Sequence, residues 1–95
     1  NELAEAIECL AHFLWEHNES SWADELHQDA NWIRQDDRYG LDRFLALFGG
    51  MGSLNDLVFH RMNRNCASGE EAELNERFRV LRQDAWEKAQ AARRG

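Results

Sequence analysis

"FGGMGSLNDL", residues 48–57, decides how this chain is read. A glycine-rich loop that leads into a helix can cradle a phosphate, because its backbone amides and the positive helix end point at an anion. The same glycines can instead stop one helix and restart another, since glycine adopts positive φ cheaply. The residues favour the second reading. Ser53 and Asp56 stand at capping spacing and would occupy the amides that an anion needs. The stretch contains no Lys or Arg and fits neither GxxxxGK[ST] nor GxGxxG. Met51, between glycines, reads as a plug of the core rather than a projecting contact. Gly49, Gly50, Met51, Gly52, Ser53, Asn55 and Asp56 are therefore expected to form a turn motif between helices.

Working outward, residues 38–48 carry Leu41, Phe44, Leu45, Leu47 and Phe48 around most of a helical circumference, which suits a central helix. Beyond the glycines, Leu54, Leu57, Val58, Phe59 and Met62 predict a short helix, with a strand as the alternative because Val58 and Phe59 favour β. Over residues 2–17, Leu3, Ile7, Leu10 and Leu14 recur at helical steps, with Glu2, Glu5, Glu8 and Glu16 on the other side. A second helix is expected from a Ser21 cap, paired with Asp24, to about Gln35, on the stripe Trp22, Leu26, Ala30 and Ile33. After a loop, Ser68 and Glu71 form a capping box for a long helix reaching about Ala92, with Leu74, Phe78, Leu81, Ala85 and Ala89 on its stripe. There is no proline, repeat or alternating β pattern. The prediction is all-α: a single small bundle of four to five helices, one domain over residues 1–95.

Several function classes are disfavoured by composition. A chain of 95 residues builds one core, and a mean hydropathy of −0.74 with 31% charged residues gives a strongly solvated exterior. No apolar run approaches the roughly 20 residues of a membrane span, and the opening residues lack the layout of a signal peptide. Cys9 and Cys66 have no CxxC-like spacing, so the expected setting is reducing and cytoplasmic. A net charge of −7 argues against nucleic acid as a partner. The charge is uneven: residues 1–37 hold ten acidic side chains against the single Arg34, net −9, while residues 38–95 are net +2.

Candidate chemistry is sparse. Glu8, Cys9 and His12 share one helix, and Asp24 and His27 another, but pairs of ligands fall short of a metal site, and none is expected. His17 and His60 stand alone. Cys66 is the one imaginable nucleophile, and nothing in the sequence sets a base beside it. Neither catalysis nor a cofactor is expected.

One constellation remains: Glu25, Asp29, Trp32 and Asp36 fall within an arc of about 60° on a helix, three carboxylates around a tryptophan. Like charges three and four apart cost a helix a few tenths of a kcal/mol each, a cost that a cationic partner would offset. Aromatic anchors with a carboxylate row suit a protein–protein contact. The expected contact surface is Glu16, Glu19, Glu25, Asp29, Trp32, Asp36 and Asp37. The last helix interleaves Arg77, Arg79, Arg82 and Lys88 with Glu73, Glu76, Asp84 and Glu87, a solvated pattern that also leaves a homodimer open.

The stretch from "LDRFLALF" through "FGGMGSLNDL" resembles an uncharacterised family of small bacterial all-helical proteins, over about residues 39–60. The resemblance implies that Gly49 to Asp56 mark the turn after a central helix, and it implies no catalytic residue. In its small size, acidity and want of a catalytic constellation the chain is similar in character to immunity proteins. That similarity implies a partner, a cognate and basic toxin domain bound by the acidic face. The alternative is a regulatory or assembly module that acts by protein–protein contact or homodimerisation.

Overall fold

The computed structural model describes residues 1–49 and 52–95, so the readings of Gly50 and Met51 fall outside the described residues. Helix α1, Glu2–Glu16, opens on Asn1, whose Oδ1 accepts from the Ala4 amide at 3.1 Å. It buries the expected stripe Leu3, Ile7, Leu10 and Leu14, joined by Ala4, Ala11 and Phe13. Asn18 takes φ 66°, and the Glu19 amide donates back to Leu14 at 2.8 Å, which turns the chain into α2, Ser20–Arg34. Ser21 therefore lies inside the first turn instead of capping it, and no side chain caps this helix.

Helix α2 ends where Asp36 takes φ 57°, and Asp37 then caps α3, Arg38–Ala46, by accepting from the Tyr39 amide at 2.9 Å. The central helix stops two residues before Phe48, and Leu47 and Phe48 form a turn. The described residues on either side of the corner after it are tied together: Leu54 N donates to Leu47 O at 2.8 Å, Asn55 Nδ2 to Phe48 O at 3.1 Å, and Gly52 N to Asp56 Oδ2 at 2.8 Å. Asp56 acts as expected, whereas Ser53 is buried without a cap bond.

Residues 54–62 form neither the expected helix nor, among the described residues, a strand. They make two 3-10 turns, Leu54–Asp56 and Arg61–Asn63, around an extended link. Asparagine side chains bond that link in place of a strand partner. Asn65 Oδ1 accepts from His60 N at 2.9 Å, and Asn65 Nδ2 and Asn63 Nδ2 both donate to Val58 O at 3.0 Å. Phe59 is thereby driven edge-on between Phe13 and Phe78, with ring centroids at 5.4 and 5.5 Å.

Helix α4, Glu71–Arg94, runs two residues past Ala92. Its expected capping box does not form: the chain turns at Gly69, φ 94°, Glu71 Oε1 accepts from Gly69 N at 2.7 Å, and Ser68 instead meets Arg61. Leu74, Phe78, Ala85 and Ala89 are buried. Helix α1 packs chiefly against α2 and also against α4, and α2 lies between α1 and α3. The result is an all-α bundle about a shared apolar core. No helix among the described residues is long and apolar enough to cross a membrane.

A candidate interaction surface at the corner of α2 and α3

Asp29 and Trp32 of the expected row lie on the side of α2 that meets α3, whereas Asp36 falls beyond the end of the helix at φ 57° and off the row. Gly40 decides how the two helices meet. A Cβ at this position would stand 2.5 Å from Trp32 Cβ and 2.8 Å from the Asp29 carbonyl, so only glycine lets the α3 backbone come this close. The close approach splits the expected row. Glu25 and Asp36 stay exposed, Trp32 is half-buried, and Asp29 is 0% exposed. Asp29 is therefore corrected from a contact residue to an interior one.

Beneath the corner, Arg43 Nε lies 3.2 Å from Asp29 Oδ1, and neither Asp29 oxygen has a hydrogen-bond partner among the described residues. The pair is one of charge, without the alignment of a hydrogen bond. Burial pushes the Asp29 carboxyl up to about 6, against the pull of Arg43 and with the help of Glu25. The Arg43 guanidinium stacks over the Tyr39 ring at 5.7 Å, and Tyr39 stands edge-on to Trp32 at 5.4 Å. Arg43 is 33% exposed and Tyr39 52%, so the Trp32, Tyr39 and Arg43 group is packed from below and open from above.

The other residues of the expected surface are not gathered here. Glu16 lies at the end of α1, 3.4 Å from His12, and Glu19 accepts from Asn65 Nδ2 at 3.1 Å, bracing the turn before α2. Both stand at the opposite end of α2 from Asp36 and Asp37, a helix of 15 residues or about 22 Å. Asp37 uses its carboxylate as the α3 cap. Tyr39 and Arg43 were missed, yet two signals pointed to them. They stand four apart on a helix, and Gly40 inside a helical segment marks a close approach.

A second surface lies between α1 and α2, a cleft of about 200 Å³ lined by Glu8, His12, Trp15, Asp24 and His27. Glu8, His12, Asp24 and His27 of the sequence-noted ligands meet here, and Glu8 is already engaged: His27 Nδ1 lies 2.7 Å from Glu8 Oε1 and Arg34 3.8 Å from Glu8 Oε2. No group of three or more His, Cys, Asp or Glu among the described residues could hold a metal ion. Cys66 is half-buried, and desolvation, then Glu71 and Glu70, hold its thiol above its ordinary range, the reverse of an activated nucleophile.

A family model, the domain of unknown function DUF6966, matches residues 16–67, more than half of the chain. The chain belongs to this family. No curated protein and no solved structure matches it. The DUF6966 segment contains α2, α3 and the glycine turn, hence the whole of the α2–α3 corner. Glu8, His12 and Trp15 of the second cleft lie outside it.

Proposed function

We propose that this chain is a non-catalytic inhibitor of the immunity type, which binds and neutralises a cognate basic toxin domain with the corner of α2 and α3. The observation that carries the reading is the packed group Trp32, Tyr39 and Arg43 within the family segment, with the exposed carboxylates Glu25 on α2 and Asp36 just beyond its end. Trp, Tyr and Arg are the residue types enriched among those that dominate binding energy at protein interfaces. The net −9 of residues 1–37 adds long-range attraction for a basic partner and speeds encounter. A cytoplasmic location belongs to the proposal, in accord with two unpaired cysteines.

The test is affinity capture from the native cells at low and high salt, comparing the wild-type chain with the double variant Glu25→Lys, Asp36→Lys. A basic toxin domain retained by the wild type, weakened by salt and lost by the folded variant supports the reading. Equal retention by both removes this face.

A second reading, an assembly module, draws on α4, which leaves Val80 half exposed and uses its own ion pairs, Arg79 with Glu76 and Lys88 with Asp84. Here deletion beyond Trp86 would change the oligomeric state, and the α2–α3 corner would be irrelevant.

A further inference from the structure

We infer that Asp29 is a positioning residue for this corner: its buried carboxylate holds Arg43 over Tyr39, which stands edge-on to Trp32, and gaining a proton releases that hold, so that the shape of the contact surface follows pH. The inference rests on the reading of the corner as the contact surface, and it concerns how that surface is set.

The geometry carries the argument. A fully buried carboxylate with no hydrogen-bond donor on either oxygen is rare, because such a group is normally satisfied several times over. Among the described residues the cation paired with it is Arg43, at 3.2 Å from α3, which lies over Tyr39. From its own helix Glu25 adds like charge. The α1 residues that enter the core are apolar, Ile7, Leu10 and Leu14 among them. With compensation this thin, the proton on Asp29 is gained in mild acid, where an open aspartate would stay ionised. Once Asp29 is neutral, Arg43 loses its counter-charge, and a guanidinium already one-third exposed can turn to water. The stack of Arg43 on Tyr39 then loses its anchor.

Asp29 acts only through Arg43, so the test needs a readout that a merely structural role would not move. The Arg43 Nε–Hε and Trp32 indole N–H signals are followed by NMR on the whole chain from pH 4.5 to 8. Both should move with one midpoint near 6 in the wild type. Both should stay at their acid positions throughout in Asp29→Asn, and Glu25→Gln should lower the midpoint. An Arg43 signal that does not titrate, or that titrates alike in Asp29→Asn, overturns the inference. Should Asp29→Asn fail to fold, Arg43→Met decides: loss of the Trp32 titration supports the coupling through Arg43, and an unchanged Trp32 midpoint rejects it. The titration needs no partner, so it can succeed while capture by the charge-reversed variant stays undiminished, an outcome that keeps the positioning role and discards the contact surface.

Discussion

Asn75 holds Phe59 by both polar groups of its backbone: Asn75 Oδ1 accepts from Phe59 N at 2.8 Å, and Asn75 Nδ2 donates to Phe59 O at 2.9 Å. The same Nδ2 donates to Glu71 O at 2.8 Å, so one side chain ties the extended link to the first turn of α4. An extended segment at the edge of a core would otherwise leave its amide and carbonyl without partners, a cost no apolar contact repays. Phe59 can be fully buried because Asn75 satisfies its backbone.

Replacing Asn75 by Ala should destabilise the chain by about 2–3 kcal/mol, since two partly buried backbone groups lose their partners. Phe59→Ala should cost about 3–5 kcal/mol by opening a cavity between Phe13 and Phe78. Urea denaturation followed by tryptophan fluorescence measures both, and a loss under about 0.5 kcal/mol for Asn75→Ala would mean that water serves equally well.

Gly40→Ala should cost about 1–3 kcal/mol, because the new methyl would meet Trp32 Cβ at 2.5 Å and the backbone of Asp29 at 2.8 Å, neither of which can swing away. The expected signature is a lower melting temperature with a changed Trp32 environment. A neutral substitution would show that α3 is not held against α2 this closely.

Asp29 should make stability fall as pH rises through 6. Its carboxyl binds a proton more tightly in the folded chain, at about 6, than at the ordinary 3.8, so its contribution is complete below the ordinary value and lost above the raised one. By this linkage Asp29→Asn should be more stable than the wild type by on the order of 2 kcal/mol at pH 7.5, and the two should converge near pH 4. Denaturation midpoints at the two pH values check this. A constant difference would place the effect in packing and not in charge.

Removing the counter-charge should act in the opposite direction. Arg43→Met should destabilise more at pH 8 than at pH 5, since only an ionised Asp29 needs Arg43. The same loss at both pH values, measured by thermal melts, would show that Arg43 serves through its packing on Tyr39 alone.

The two cysteines should react unequally. Cys9 is exposed, whereas Cys66 is half-buried with its thiol held high, so iodoacetamide at neutral pH should label Cys9 well before Cys66. Peptide mass spectrometry reads the order, and equal labelling would contradict the surroundings of Cys66.

Where a stripe repeats over three or more turns, as with Leu3, Ile7, Leu10 and Leu14, the helix was legible in the sequence. At the corner after α3 only the part played by Asp56 was legible, since it bonds a backbone amide four residues away, whereas the Ser53 cap and the restarted helix do not form. Residues 54–62 were misread, because their extended link is held by Asn75, sixteen residues on from Phe59, and local periodicity carries no trace of such a partner. The start of α4 was misplaced for a smaller reason: Glu71 turned to Gly69, leaving Ser68 to Arg61.

The sequence by itself determined the all-helical class, the helices with strong apolar stripes, the acidic first third and the family segment, all of which depend on residue type and short spacing. Only the tertiary structure decided which carboxylates face a partner. Asp29 and Glu25 stand four apart on one helix and look alike in sequence, but Gly40 admits the α3 backbone over Asp29 and leaves Glu25 in water. Burial is set by what the rest of the chain lays on top of a residue, and helical spacing cannot encode that.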